Sequence, residues 1–276
     1  MNSNSTDISL SSYFNDIVVG FYEDTGLVES LGHSFGFDVN KDSFLALSFL
    51  YPWATPITYD DKTLLHDQLE PLLKLGPINQ TIDSNQILLA DRGVVIFFIA
   101  HTKQELLNIL PSVKDEALKL TEHFTAPKNI RIGIGTIETG LEGIEQSYQN
   151  SLRAVDAGEL FKKERRVLDF MGMEIYSAIN TMVVNYGDAL TKEVLKQLTD
   201  PEQRILGKYY KCKESVSETA AALHITEAEV LEALNQTRLK TGLDVNDTED
   251  SFKLHFIMIA KKVLDKKHRE EAIEQE

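Results

Sequence analysis

The chain has 276 residues, of which 42% are hydrophobic, and a formal net charge of −15. That length holds one large domain or two to three smaller ones with real cores. The acid excess excludes nucleic-acid or anionic-membrane binding over the whole surface, though not a local basic patch. The single cysteine, Cys212, excludes an internal disulfide framework and fits a reducing, cytoplasmic setting.

Residues 1 to about 12 are polar, with neither the basic region nor the apolar core of a signal peptide. Tyr13, Phe14, Ile17, Val18, Phe21 and Tyr22 recur at helical spacing, so the 1–40 segment is expected to carry an amphipathic helix. Its apolar side packs against the same chain or against a second copy. Gly20, Gly26, Gly32 and Gly36 make 23–40 read as turn-rich.

From 41 to 172 strands and helices alternate. Phe44 to Leu50 reads as a buried strand, and Leu64 to Leu75 as a helix limited by Pro71. Ile87 to Ala90 and Val94 to Ile99 flank Asp91-Arg92-Gly93, a hairpin signal. Gln104 to Phe124 is helical with an interruption near Pro111. Ile130 to Ile134 is a strand, Ser147 to Phe161 a helix, and 167–170 closes the sheet. The β-α-β-β-α-β order is that of ferredoxin-like and nucleotide-cyclase-like α+β domains.

A helical connector over 173–200 leads into an all-α module at 201–270. Pro201 suits the first turn of a helix. Ser215 with Glu218 fits a capping box, followed by the small apolar face of Ala220, Ala221 and Leu223. Leu223-His224-Ile225 forms a turn. Thr226 caps a second helix that carries Val230, Leu231 and Leu234 inward and stops at Gly242. This is the layout of a helix-turn-helix, which places its second helix in the DNA major groove. The charges oppose that role. Between 214 and 250, Arg238 and Lys240 stand against nine acids, three of them, Glu227, Glu229 and Glu232, on the second helix. A last helix runs from about Thr248 to Lys267, and the apolar runs of the chain are too short to span a bilayer.

The C-terminal block resembles the helix-turn-helix of the sugar-diacid and purine-catabolism regulators, the CdaR/PucR-like family. The matching pieces are Val216-Ser217-Glu218-Thr219-Ala220, Ala222-Leu223-His224-Ile225, Thr241-Gly242-Leu243-Asp244 and Asp247-Thr248-Glu249-Asp250. Arg131-Ile132-Gly133-Ile134-Gly135, with Gly140-Leu141, Ser147-Tyr148 and Ala154, is similar to that family's central GGDEF-like domain. The resemblance implies a cytoplasmic transcriptional regulator, a homodimer by family standards, with a GGDEF-like sheet domain for dimerisation or sensing. Where the family carries basic residues at the start of the second helix, this chain has Thr226, Glu227, Ala228 and Glu229. The residues left to contact DNA are then Ser217, Thr219, Thr226, Asn235 and Gln236, with Lys261 and Lys262 of the basic cluster that ends at Arg269. That cluster equally suits a solvated helix end. A second reading is a regulatory module that binds protein, through Leu231 among its acids.

Catalysis finds little support. A cyclase of this fold needs carboxylates on the first strand and an acidic hairpin, and Phe44 to Leu50 and 90–93 supply neither set. Gly133-Ile134-Gly135 lacks the third glycine of a dinucleotide loop and the Gly-Lys-Ser/Thr of a phosphate loop, so it reads as a strand and a turn. The seven histidines form no metal-ligand pair, so no catalytic residue, metal or cofactor is expected.

Overall fold

The computed structural model describes residues 9–22, 24–51, 58, 68–69, 72, 74–75, 87–90, 93–123 and 130–274. The chain divides into two compact units, Met1–Ser177 and Ala178–Glu276. The first is α+β and the second is helical.

The first unit is built on strand β1 (Ser43–Leu50). β1 pairs antiparallel with β3 (Gly93–Ala100) along its whole length, and with β4 (Arg131–Ile134) and the short β5 (Glu138–Thr139) on its other edge. β2 (Ile87–Ala90) lies outside β3, and β6 (Val167–Asp169) runs parallel to β4. The order β2-β3-β1-β4-β6 contains the antiparallel ferredoxin-like sheet, extended by one parallel strand. β2 and β3 meet with Ala90 opposite Gly93, as a hairpin should; residues 91–92 between them lie outside the described residues. So does most of the helix expected over Leu64 to Leu75, although Leu69 and Leu72 are buried in the core.

β1 and β3 are buried at every position, which is why they read as unbroken apolar runs. The two-residue period still sorts them. Leu45, Leu47, Phe49, Val94, Ile96 and Phe98 face a core shared with Leu106, Val113 and Ala117 of helix α3 (Lys103–His123). Phe44, Ala46, Val95, Phe97 and Ile99 face the opposite way. There they meet helix α1 (Leu10–Val18), whose Phe14 stacks on Phe97 at 4.5 Å. The amphipathic N-terminal helix thus packs on its own sheet. It ends four residues before Tyr22, with Gly20 at φ 71, and leaves Phe21 exposed.

Two local readings are corrected. The turn-rich stretch 23–40 contains helix α2 (Thr25–Ser34). Asp24 caps it by accepting the N–H groups of Gly26 and Leu27, and Gly32 is there because a β-carbon would sit 3.1 Å from the Tyr13 hydroxyl. Pro111 does not interrupt α3. The carbonyl that it leaves without a partner belongs to Leu107, on the exposed side, where water can serve it.

Helix α4 (Leu141–Phe161) covers β1 and β4. It starts at Leu141, six residues before the expected Ser147, with Gly140 as its N-cap. It approaches the sheet closely. A β-carbon on Gly133 would lie 1.9 Å from the carbonyl oxygen of Ser151, and one on Gly135 2.1 Å from that of Ser147. The same two serines, one turn apart, tie the helix to the sheet. Ser147 Oγ accepts the Ala46 N–H at 2.8 Å and donates to the Thr136 carbonyl at 2.6 Å. Ser151 Oγ lies 2.5 Å from Ser48 Oγ. The Gly-Ile-Gly segment is therefore the flat track on which α4 rests.

Asp42, just before β1, is buried and accepts the Asp38 N–H at 2.8 Å and the His101 ring at 3.0 Å. The Asp42 bond holds the His101 pKa above its ordinary 6.5.

Two outcomes are expected. Gly133→Ala should cost about 3 kcal/mol or more in urea unfolding, because backbone has to move. Gly172→Ala, where nothing lies within 4 Å, should stay within about 0.5 kcal/mol. The folded state holds the His101 proton more tightly than the unfolded chain does. Its contribution to stability is therefore present below about pH 6.5 and lost as pH rises through the folded value. In an NMR titration Asp42→Asn should bring the His101 midpoint down; an unchanged midpoint would break the assignment.

Candidate nucleic-acid interface

Helix α5 (Glu174–Leu195) starts in the last residues of the first unit and runs into the second. Helices α6 (Asp200–Lys211), α7 (Val216–Leu223) and α8 (Glu227–Thr241) then pack on one another pairwise, and α9 (Thr248–Glu274) packs on α6. Leu206, Tyr209, Tyr210, Ala220, Val230, Leu234, Val245 and Leu254 make their common core. α6 opens with a capping box between Thr199 and Glu202, and Pro201 takes the first turn.

Both turns flanking α7 close in the same way. After α6, the N–H of Lys213 reaches the Tyr210 carbonyl and that of Glu214 reaches Tyr209. After α7, the N–H of His224 reaches Ala221 and that of Ile225 reaches Ala220. This double bond pattern is a Schellman motif, and it demands a left-handed residue. Lys213, Glu214 and His224 take that role with φ of 52°, 63° and 57°, though none is glycine. His224 thus serves the turn. α7 and α8 are joined through residues 224–226 alone, and α8 ends on Gly242 at φ 74.

The N-terminus of α8 holds a full capping box. Thr226 Oγ1 accepts the Glu229 N–H at 3.2 Å, and the Thr226 N–H donates to Glu229 Oε2 at 2.7 Å. The backbone bond from Thr226 holds the Glu229 carboxyl below the usual carboxylate range. Sequence reasoning counted Glu229 only as a misplaced acid, yet Thr226-x-x-Glu229 is a legible capping signature.

The candidate contact residues fall in different surroundings. Ser217 is exposed on α7, 3.3 Å from Ser215 Oγ. Thr219 is buried, and its hydroxyl donates to the Ser215 carbonyl at 2.6 Å, so it serves the helix and reaches no surface. Thr226 is exposed but engaged by Glu229. Asn235 is exposed and accepts from Arg238; Gln236 is half-buried and donates to Glu232 at 2.8 Å. Lys261 and Lys262 are half-buried on α9, and Lys261 pairs with Asp265 at 2.8 Å.

Other cations of the module are similarly engaged. Lys240 reaches Glu202 at 2.6 Å, Arg238 reaches Asp244 at 3.5 Å, and Lys253 reaches Glu249 at 3.0 Å. Burial works to raise the Glu202 pKa, but the bonds from Lys240 and Thr199 hold it down. The exposed side of α8 carries Glu227, Glu229, Glu232, Asn235 and Arg238, with Leu231 at 55% and Leu239 at 65% exposure among them. Among the described residues no group of three or more His, Cys, Asp or Glu is placed to hold a metal, and no helix is long and apolar enough to cross a membrane.

No family model matches the chain, and no curated protein matches it. Among solved structures it is similar to a regulator of polyketide synthase expression from Bifidobacterium adolescentis. The identity is 16% and the TM-score 0.40, over 94% of this chain and 100% of that one.

The left-handed turn makes a stability prediction. His224→Gly should stabilise the protein by about 0.5–1 kcal/mol, because relief of the strained φ exceeds the added freedom of the unfolded chain. His224→Val should cost about 1–2 kcal/mol. Thermal unfolding that ranks the two variants the other way would overturn this account of the turn.

Proposed function

We propose that the protein is a transcriptional regulator that contacts DNA through α7 and α8, with the sheet unit as a non-catalytic module for dimerisation or sensing. One observation carries this reading. Two short helices are locked by a Schellman turn and a capping box into a helix-turn-helix, with α8 presenting a continuous exposed side. The groups at this surface are neutral ones at Ser217, Thr226, Asn235 and Gln236, with Lys261 and Lys262 beyond them. Hydroxyls and amides contact phosphates and base edges without releasing many counterions. The binding is therefore modest, with a shallow salt dependence: a slope of log affinity against log salt of about −3 or weaker in magnitude.

A specific observation favours a second reading. Leu231 stands exposed beside Glu227 and Glu232, an apolar contact rimmed by acids, which suits a basic and apolar protein surface.

One pair of experiments separates the two. Fluorescence anisotropy with fragments from the protein's own upstream region should show binding at low salt; none there removes the DNA reading. The double variant Glu227→Lys, Glu232→Lys should tighten that binding by about tenfold and steepen the salt slope by roughly two. If α8 instead docks a protein, the same variant abolishes capture of that partner and Leu231→Ala weakens it.

A further inference from the structure

Helices α1 and α2 do not close fully on each other. A cavity of about 680 Å³ lies between them, a size at which proteins hold small organic molecules. Every residue that lines it belongs to the first unit. Its inner wall is apolar, with Tyr13, Ile17 and Val28 buried there. The Tyr13 hydroxyl already donates to the Val28 carbonyl at 3.0 Å. The mouth is apolar as well. Val19 is 55%, Phe21 82% and Leu27 54% exposed, so three large side chains at one opening leave apolar surface for a ligand to cover. The half-buried Tyr22 adds another ring.

Two carboxylates stand among these side chains, Asp16 and Asp24. Asp24 caps α2 with Oδ1, which accepts the Gly26 and Leu27 N–H groups at 2.8 and 3.3 Å, and keeps Oδ2 for other use. Asp16 is exposed and pairs with nothing among the described residues. Among the described residues no basic side chain lines the cavity. Residues 1–40 hold six acids and no Lys or Arg.

We infer that this cavity binds a small organic cation, a protonated amine on an apolar, ring-bearing body. The charges select it. An anion meets two carboxylates and no counter-charge. A neutral apolar molecule covers the walls but strips water from the carboxylates and returns nothing to them. A second copy of the chain, itself at −15, brings more negative charge to a negative mouth. A protonated amine meets both demands. Its N–H groups reach Asp16 and Asp24 as charge-assisted hydrogen bonds, and its body lies on the rings, whose π faces also draw a cation. The inference names a ligand class for the sensing role proposed for the sheet unit and rests on that role only for its consequence. Binding is measured directly, so either can fail without the other.

Titration of the isotope-labelled full chain, followed by amide chemical shifts at neutral pH and constant ionic strength, compares three ligands of one shape: phenethylamine, phenethyl alcohol and phenylacetate. The amine should bind at about 1 mM or tighter. That is about tenfold tighter than the alcohol, with phenylacetate weaker still, and the shifts should centre on α1 and α2. Asp16→Asn and Asp24→Asn, the second of which keeps a capping oxygen, should each weaken the amine about threefold and together about tenfold. Neither should affect the alcohol. Asp115→Asn, exposed on α3 across the sheet, should change nothing. An amine that binds no tighter than the alcohol overturns the inference. So does one that binds the double variant as well as the wild type, or that shifts only amides outside α1 and α2.

Discussion

The sheet unit depends on one contact, the seating of α4 directly on β4. Strand and helix backbones approach so closely at Gly133 and Gly135 that no side chain fits between them. Such an approach strands polar backbone unless something serves it. Ser147 does so from the helix side, accepting the Ala46 N–H and donating to the Thr136 carbonyl, while Ser151, one turn on, meets the Ser48 hydroxyl. Arg131, at the start of the same strand, then fastens the loop that follows α4 by donating to the carbonyls of Lys163 and Arg165 at 2.8 Å each. A helix seated there leaves the opposite sheet face free for α3. It also leaves the outer part of its own face for α1 and α2. The layering of the unit follows from that one seat.

The helical unit depends on turn chemistry in the same degree. Its core is small, and α7 is only eight residues long. Helices that short gain little from their own hydrogen bonds. What holds α7 in place is the pair of Schellman closures at its ends, the burial of Ala220, and Thr219, whose hydroxyl returns to the Ser215 carbonyl. The stacked pair Tyr210 and His255, 4.5 Å apart and nearly parallel, joins α6 to α9 around it.

The elements legible in the sequence were those whose signal is periodic and local. β1 and β3 are long apolar runs, and Pro201, Ser215, Thr226 and Gly242 mark helix ends by their own chemistry. The order of strands then led to the sheet topology. The readings that failed are those in which a residue has two competing uses. Glycine signals a turn, but Gly26 and Gly32 sit inside α2, where one follows a cap and the other makes room for Tyr13. Proline breaks helices, but α3 runs on through Pro111, whose missing bond falls beside the exposed Leu107. Thr219 looks like a phosphate contact by type and position; only packing reveals that its hydroxyl points inward. At the candidate interface the scaffold was therefore readable and the state of its surface groups was not, because ion pairs such as Lys240 with Glu202 join residues 38 apart in sequence.

Scaffold and surface of α8 are not independent. The acid at Glu229 is part of the capping box that starts the helix, and the bonds that it accepts keep it ionised over a wider pH range than a free carboxylate. Replacing it with a basic residue would remove the reciprocal bond to the Thr226 N–H. Negative charge at this end also complements the helix dipole. The first turn of α8 is thus acidic for reasons internal to the fold. It is the same turn that a groove-reading helix brings to the bases. Glu227 and Glu232 lie outside the capping box; Glu227 shares only in the dipole and Glu232 accepts from Gln236 at 2.8 Å, so their charge is less bound to the fold than that of Glu229. Beyond that turn, the groups left for a phosphate backbone are Asn235 and Gln236, roughly 10 Å farther along the helix axis, with Ser217 on α7 and Lys261 and Lys262 on α9. The chemistry of α8 is decided by those two halves: a first turn held negative by its own cap, and a later turn of neutral amides.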